Sequence, residues 1–436
     1  MIQVTSFALL VMLCICGCLS PAWAFVLVIL HFALEQVLQA SFPTIFVSNL
    51  SLVNFITAIV SVIAAARVLS KGHCYGRAYF SPIWKGALIV YAWSAVSLLW
   101  TPAFSSALQF ISDGLPYIVL FIIIAPIFII DIKNVRKIAT IYLVVGTLVA
   151  CLVELSPGLS TQTGRLSFQL SGKSYTNPLE LGAVGGGLII AAVLLRSSAY
   201  TRLFLVVRVL GFLVGALMCA QSGSRGQLVF ATMVAVVFFP IARTVRSITN
   251  FVFASFGALI LLAVLITFAV AVLPDRVSAR WTTSQVEDGF GDRLARVGEL
   301  ADYWLVRPHM WPIGVGFDAF DAVSTVGGYS HVLILDIPLE LGFVVFGIYI
   351  WMIFRTAKSG FRLFQRHADD PANRSTVAFL LAMFLFEFFL TNKQGALWSS
   401  WNVFLFMEII AFLEIEGRQE SATEFQMIPS YQGAQP

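Results

Sequence analysis

The chain is short of charge. Asp, Glu, Lys and Arg together make up 11% of its 436 residues, whereas about 25% is usual in soluble globular proteins. So few charged side chains cannot cover a large surface in contact with water, and this excludes an ordinary soluble domain. Hydrophobic residues account for 59% of the chain, which is typical of a protein that crosses a membrane many times.

Cysteine is scarce as well. The chain has six cysteines, and Cys14, Cys16 and Cys18 lie within one apolar run, where cysteine packs as a small hydrophobic residue. These three residues lack the CxxC spacing of a metal site, and no histidine is close to them in the sequence. The sequence therefore predicts no disulfide framework, no metal ion and no other cofactor.

Long apolar runs occupy most of the chain. The first basic residue is Arg67, so the N-terminal runs lack the positive start of a signal peptide and are interpreted as membrane segments. We predict an all-α, polytopic membrane domain over residues 1–415, with about 12–13 transmembrane helices of about 20 residues each. The predicted spans are 5–20, 22–39, 48–66, 86–100, 108–130, 138–154, 178–195, 204–220, 226–242, 250–273, 332–354, 376–391 and 397–415.

The net charge of +4 comes from basic residues spread through short loops, which indicates membrane topology rather than a nucleic-acid partner. Alternation of the spans puts most of the Lys and Arg residues on one side, which is therefore predicted to be cytoplasmic. The loop 274–330 then faces the periplasm, together with the loop near 155–177 and the turn at Arg225. The basic loops are 67–85, 133–137, 196–208, 243–246 and 355–374.

The periplasmic loop has a helical pattern of its own. Its segment "DRLARVGELADYWLV" repeats apolar residues at the spacing of one helix face, among them Leu300 and Trp304. We predict an amphipathic helix that lies on the outer surface of the membrane. The tail 416–436 is polar and contains Pro and Gly, so it is predicted to be disordered and cytoplasmic.

Four outward segments hold the candidate functional residues at the ends of predicted spans. Arginine binds phosphate groups through two parallel hydrogen bonds and stays charged, and histidine accepts protons near neutral pH. Such a set suits a phosphorylated donor and a hydroxyl acceptor. The candidates are Arg165, Lys173, Asn177, Ser224, Arg225, Arg293, Arg296, His331, Asp336 and Glu340.

Short motifs in these segments resemble the O-antigen ligase and O-antigen polymerase superfamily. The turn "SGSRG" (222–226) opens a span, Arg296 precedes "GVG" (314–316), and "HVLILDIPLELG" (331–342) carries a histidine ahead of a glycine. "YTNPLELG" (175–182) and "PIGVGFDAF" (312–320) also resemble family segments. Together the motifs cover about residues 165–350. The asparagine that usually follows the family's histidine is Val332 here.

The resemblance implies a metal-independent, inverting glycosyltransferase of the bacterial inner membrane, active in O-antigen or exopolysaccharide synthesis. It would transfer a glycan from a polyprenyl-diphosphate carrier to a hydroxyl of a glycan or lipid-core acceptor on the periplasmic side. Arg225 and Arg296 would hold the diphosphate, and His331 would be the base. Arg293 is an alternative to Arg296 as the diphosphate ligand, because the two residues lie on nearly the same face of the helix. Membrane lipids are further partners, and whether the acceptor makes the chain a ligase or a polymerase stays open.

Each candidate also has a structural interpretation. Arg225 is alternatively an interfacial anchor, Arg296 part of a solvated face, and His331 a helix cap. Arg165 and Lys173 contact either the donor or anionic lipid.

The carboxyl groups and the function as a whole also leave alternatives open. Asp336 and Glu340 lie four residues apart, so they either orient the histidine, pair with an arginine or serve the fold. The rival function is a polytopic transporter of an anionic or glycan-related substrate. Transporters hold their substrates near the middle of the membrane, whereas these candidates gather at one face, which favours the enzyme. A non-catalytic component of polysaccharide assembly is the third alternative.

Overall fold

The computed structural model describes most of the chain and shows a bundle of helices. It leaves out residues 72–79, 157–158, 161–163, 171–172, 175–176, 197–200, most of 244–282, 326–330 and 428–436. Within the described residues, 10 helices are long and apolar enough to cross a membrane. This confirms the predicted all-α, multi-pass membrane fold.

The long helices follow the predicted apolar spans. The span expected at 250–273 lies almost wholly outside the described residues. In chain order the helices are α1 (Ile2–Leu19), α2 (Pro21–Ser41), α3 (Leu52–Ser70), α4 (Pro82–Val96), α5 (Phe104–Ile118), α6 (Ile132–Leu155), α7 (Pro178–Leu194), α8 (Thr201–Gln221), α9 (Arg225–Arg243), α10 (Thr283–Leu305), α11 (Gly342–Arg366), α12 (Pro371–Gln394) and α13 (Trp401–Met427).

Two of the spans are irregular, and each contains proline. Helix α5 continues through a π turn, Val119–Ile124, into a 3₁₀ turn, Ala125–Phe128. A short helix, Leu333–Asp336, and a π turn, Ile337–Leu341, precede α11. Proline lacks the N–H that a regular helix needs, and π turns are common at functional sites.

The chain between α6 and α7 forms the only strands among the described residues. They are β1 (Leu159–Ser160), β2 (Ser167–Leu170) and β3 (Lys173–Ser174), and they pair antiparallel in the order β1-β2-β3. The backbone N–H of Leu166 donates to the carbonyl of Gln221 over 2.8 Å. This small sheet is thereby fixed to the end of α8.

Burial separates the centre of the bundle from its rim. Most of α2 and α12 is buried, whereas α3 and α8 leave large apolar residues such as Phe55 and Leu205 exposed. Exposed apolar side chains of this kind suit a surface in contact with lipid. Glycines bring α7 and α8 together, because a Cβ at Gly185 would lie 2.6 Å from the carbonyl oxygen of Gly215.

Basic side chains stabilise helix ends at one face of the bundle, here called the basic face. Arg208 donates to the carbonyls of Ala192 and Val193 at the end of α7, and Arg243 donates to Val193 over 3.0 Å. Cations at a helix C-terminus offset the partial negative charge there. The opposite end of the bundle carries residues 308–325 and is called the loop face below.

The predicted helix of the long loop is present as α10. Its Leu300 and Trp304 are buried against Val315, Phe320 and Leu339, so the apolar stripe of the sequence packs against the rest of the loop. At the other end of the chain, α13 continues to Met427. The last helix therefore extends beyond residue 416, where the sequence suggested that a disordered tail begins.

The orientation in the membrane is tested by labelling. We expect an impermeant maleimide to label Asp302→Cys, on α10, in intact cells and to label Asp369→Cys, beside α12, only after lysis. The reason is the clustering of basic residues at the basic face. Both positions are exposed, and the background is a variant without the six native cysteines. The opposite labelling pattern would reverse the orientation.

Candidate functional site

The turn between α8 and α9 presents Arg225 at the loop face. Gly223 has a φ of 66°, a left-handed conformation that favours glycine. Ser222 Oγ donates to the carbonyl of Cys219 over 2.7 Å and accepts from the N–H of Ser224 over 3.2 Å. Arg225 is the first residue of α9 and is half-buried. The helix N-terminus therefore opens at this face, as the sequence predicts.

Gln227 joins this turn to the start of α7. Its Nε2 donates to the carbonyl of Leu179 over 2.5 Å, and its Oε1 lies 3.0 Å from Ser222 Oγ. Gly182 makes this contact possible, because a Cβ there would overlap the Gln227 side chain. Asn177 Oδ1 accepts from the N–H of Leu179 over 3.0 Å, so this candidate caps the N-terminus of α7.

Lys393, at the end of α12, is the residue that motif reasoning missed. Its Nζ donates to Ser224 Oγ over 2.7 Å. A Cβ at Gly226 would lie 2.4 Å from Lys393 Cδ, so the glycine after Arg225 makes room for the lysine stem. The predicted topology could have identified Lys393. It is a basic residue at the outer end of a span, on the opposite side of the membrane from the basic loops.

The segment after His331 is held at the same helix end. The N–H of Ile334 donates to Asn392 Oδ1 over 2.8 Å, which places the segment after His331 beside α12. His331 is half-buried and has a φ of 69°, a conformation uncommon for residues other than glycine. Such backbone strain is concentrated at functional sites. Ser224, Arg225, His331, Asn392 and Lys393 are called the α12 cluster below.

The "GVG" motif (314–316) of the long loop packs against the "ELG" motif (340–342) that precedes α11. Val315 N–H donates to the backbone carbonyl of Leu339 over 3.1 Å, and Gly316 N–H donates to the backbone carbonyl of Glu340 over 2.9 Å. A Cβ at Gly342 would lie 2.5 Å from the backbone nitrogen of Gly314. The "GVG" and "ELG" sequences therefore share one packing function, which fixes the helix that follows His331.

Glu340 serves the fold. Its carboxylate accepts from the N–H groups of Asp318, over 3.1 Å, and Phe320, over 3.3 Å. These contacts support the structural alternative for Glu340, since its oxygens bind the backbone of the loop. Asp336 is buried on the same helical segment. Ser106 Oγ in turn donates to Asp318 Oδ2 over 2.5 Å, which links α5 to the loop.

Asp318 makes the stability of the loop depend on pH. Burial raises its pKa to about 6, while the hydrogen bond from Ser106 acts in the opposite direction. The folded chain therefore binds the proton more tightly than the unfolded chain, and stability falls as pH rises through about 6. Between pH 5.5 and 7.5 we expect a loss of about 1 kcal/mol from this group.

Asp318→Asn tests this dependence, because Asn also tolerates the left-handed backbone that Asp318 adopts at φ 60°. Thermal unfolding in detergent at pH 5.5 and 7.5 is the measurement. The variant should have a smaller difference between the two melting temperatures than the wild type. Equal differences in both proteins would assign the pH dependence to other groups.

The remaining arginine candidates occupy different places. Arg296 is half-buried on α10, next to Glu299. Hydrogen bonds from Ser324 and Thr325, together with the charge of Arg296, lower the pKa of Glu299. The contacts that the structure describes thus put Arg296 beside the 324–325 segment rather than at α12.

Arg165 is half-buried and precedes Leu166, which binds the end of α8, so it lies near the turn that holds Arg225. The side chains of Arg293 and Lys173 lie outside the described residues. Within the described part of the chain, no group of three or more His, Cys, Asp or Glu side chains is placed to hold a metal ion.

The comparisons with known proteins leave the family open. No model of a protein family matches the chain, and no curated protein matches it. The resemblance to the O-antigen ligase and polymerase superfamily therefore stays a prediction, and the function must be argued from the α12 cluster.

Proposed function

We propose that the chain is a membrane glycosyltransferase of the O-antigen ligase and polymerase type. It transfers a glycan from a polyprenyl-diphosphate carrier to a sugar hydroxyl on the outer side of a bacterial inner membrane. The observation that carries this proposal is the convergence at one end of α12. Lys393 bonds to Ser224, the neighbour of Arg225, and the segment after His331 bonds to Asn392, although these residues come from three distant parts of the sequence.

The α12 cluster suits a diphosphate leaving group. Arg225 offers a planar fork of donors, Lys393 adds a second cation, and the N-terminus of α9 favours an anion through its partial positive charge. The lipid diphosphate gains negative charge as its bond to the sugar breaks. Cationic groups that are already in position stabilise this charge in the transition state.

His331 supplies the second half of the reaction. The acceptor hydroxyl oxygen bonds to the anomeric carbon while the bond from that carbon to the diphosphate oxygen breaks. The hydroxyl proton passes to the imidazole of His331, and the electron pair of the broken bond leaves with the diphosphate. A positioned base of this kind contributes about 10²- to 10⁴-fold to the rate.

The position of the cluster favours this enzyme over a transporter. Arg225 is the first residue of α9, and Lys393 is the second-to-last residue of α12. Transporter sites are built near the middle of the membrane from interrupted helices. Residues at helix ends instead meet a lipid-linked donor where its diphosphate lies, at the head-group level.

Reconstitution in liposomes distinguishes a glycosyltransferase from a transporter. The purified chain is placed in liposomes with donor glycolipid extracted from cells that lack the chain, and the products are separated by gel electrophoresis and mass spectrometry. We expect a longer or lipid-core-linked glycan together with free polyprenyl diphosphate. Movement of intact donor or glycan across the vesicle membrane without a new glycosidic bond would support the transporter and refute the enzyme.

Turnover should not need a divalent cation. The cations of the α12 cluster provide the positive charge that a metal ion supplies in many phosphate sites. We expect transfer in excess EDTA at the rate measured with added Mg²⁺. An enzyme that stops in EDTA and recovers with Mg²⁺ or Mn²⁺ would contradict the metal-independent mechanism.

A further inference from the structure

A cavity opens between α5 and the segment that joins α12 to α13. Its volume is about 380 Å³, which is within the range of pockets that hold small ligands. One wall is polar and carries Ser106, Gln109 and Asp113 of α5. The facing wall is aromatic and includes Trp398 and Trp401. The cavity has no assigned role in the diphosphate chemistry above.

The polar wall is unusual for a membrane span. Residues 106, 109 and 113 recur at helical spacing, so their side chains share one face of α5. The rest of the span Phe104–Phe128 is apolar enough to cross a membrane. Gln109 and Asp113 are exposed. A carboxylate within a span is costly unless it faces water or a ligand, so this face is arranged for a polar occupant.

The aromatic wall is held rigidly. The rings of Tyr117 and Trp401 stack with their centroids 4.8 Å apart, and Tyr117 also lines the cavity. Trp398 Nε1 donates to Ser94 Oγ over 2.8 Å, which fixes the orientation of the indole. Trp398 and Trp401 are buried to within a few per cent, so they form the rigid apolar back of the cavity. An apolar wall opposite hydrogen-bonding side chains matches a sugar ring, which has C–H groups on its faces and hydroxyl groups around its edge.

The lining also excludes the donor's diphosphate. No Lys or Arg is present among the described residues that line the cavity, and Asp113 adds a carboxylate. A diphosphate would be repelled there, whereas sugar hydroxyls donate hydrogen bonds to carboxylate and amide oxygens. The two polar sites at the loop face thus have opposite charge, one suited to an anion and the other to neutral hydroxyl groups.

The walls of the cavity are attached to the elements that carry the α12 cluster. Trp398 follows Lys393 closely in the sequence. On the other wall, Ser106 binds Asp318, and Asp318 binds Glu340 on the segment that follows His331. Because both walls are attached to the elements that carry the cluster, a sugar in the cavity is held in a fixed relation to it.

We propose that this cavity binds the acceptor glycan, with Gln109 and Asp113 as hydroxyl ligands and Tyr117, Trp398 and Trp401 as its apolar wall. The proposal rests on the glycosyltransferase function proposed above. It assigns the two substrates to separate sites, with the donor diphosphate at Arg225 and Lys393 and the acceptor sugar between α5 and α13.

Steady-state kinetics with two extracted glycolipids tests the assignment. Donor and acceptor glycolipids are prepared from cells that lack the chain and are titrated separately against the reconstituted protein. Asp113→Asn removes the carboxylate without changing its shape, and Gln109→Trp fills the cavity. Ser112→Ala is the matched control, because Ser112 is exposed on α5 and, within the described residues, bonds to the Leu108 carbonyl of its own helix.

We expect Asp113→Asn to raise the KM for the acceptor about tenfold or more, as the loss of a charge-assisted hydrogen bond predicts. Gln109→Trp should raise the same constant at least as much, because the indole occupies the space of the sugar. The KM for the donor should stay within about twofold of the wild type, by the same energy scale, and Ser112→Ala should leave both constants unchanged. An unchanged acceptor KM in both variants overturns the acceptor site while the enzyme function stands. A raised donor KM instead would assign the cavity to the donor glycan and also overturn it. A wild-type protein that forms no product refutes the glycosyltransferase itself, and the acceptor site with it.

Discussion

His331→Asn should lower the rate of glycan transfer by about 10²- to 10⁴-fold, the contribution of a positioned general base. Asparagine is chosen because it tolerates the left-handed backbone that His331 adopts at φ 69°. The substitution therefore removes the imidazole without adding strain to the turn. Transfer is measured under saturating donor and acceptor, with protein level and melting temperature checked for each variant.

Two comparisons make this result specific. His309→Asn changes an exposed histidine in the same loop and should leave the rate unchanged. His331→Gly relieves the backbone conformation but also removes the base, so it should be as slow as His331→Asn. A rate in His331→Asn within a factor of a few of the wild type would exclude His331 as the base and leave it as a turn residue.

Arg225→Lys should lower transfer by about 10- to 100-fold, which corresponds to the loss of a contact worth about 1.5–3 kcal/mol in the transition state. A membrane anchor needs only a positive charge, and lysine supplies one. A diphosphate clamp needs the planar fork of the guanidinium group, which lysine lacks. The substitution thus discriminates between the two interpretations of this arginine.

The control for Arg225 is another arginine of the loop face. Arg307 donates to the carbonyl of Tyr303 over 2.8 Å and lies over the Tyr303 ring, outside the α12 cluster. Arg307→Lys should transfer glycan at nearly the wild-type rate. If Arg225→Lys does the same at the wild-type protein level, the clamp is wrong and the anchor interpretation holds.

Local hydrophobic patterns in the sequence were sufficient to predict individual helices. The run of apolar residues after "SGSRG" predicted a span that begins at residue 226, and α9 begins one residue earlier, at Arg225. The repeat of Leu300 and Trp304 predicted the loop helix, because one face of a helix recurs every three or four residues. The end of α13 was less predictable, since a polar sequence is compatible with both a disordered tail and the exposed end of a helix.

The sequence could not show which distant residues are in contact in the folded protein. Lys393 and Ser224 are separated by 169 positions, and no motif connects them. The space beside Gly226 is taken by the stem of Lys393, and nothing in the local sequence indicates this neighbour. Asp113 stands in an apolar run where sequence alone offers no partner, and the aromatic wall opposite it comes from the other end of the chain.

The sequence by itself determined that this protein is a multi-pass helical membrane protein and, to within a few residues, where most of its helices lie, because hydrophobicity and helical period are properties of consecutive residues. Only the tertiary structure decided which helix ends meet. Side-by-side packing of α7, α9 and α12 brings Lys393 to Ser224 and Gly226, the two neighbours of Arg225. The lateral order of helices depends on contacts between distant segments, and those contacts leave no periodic trace in either segment.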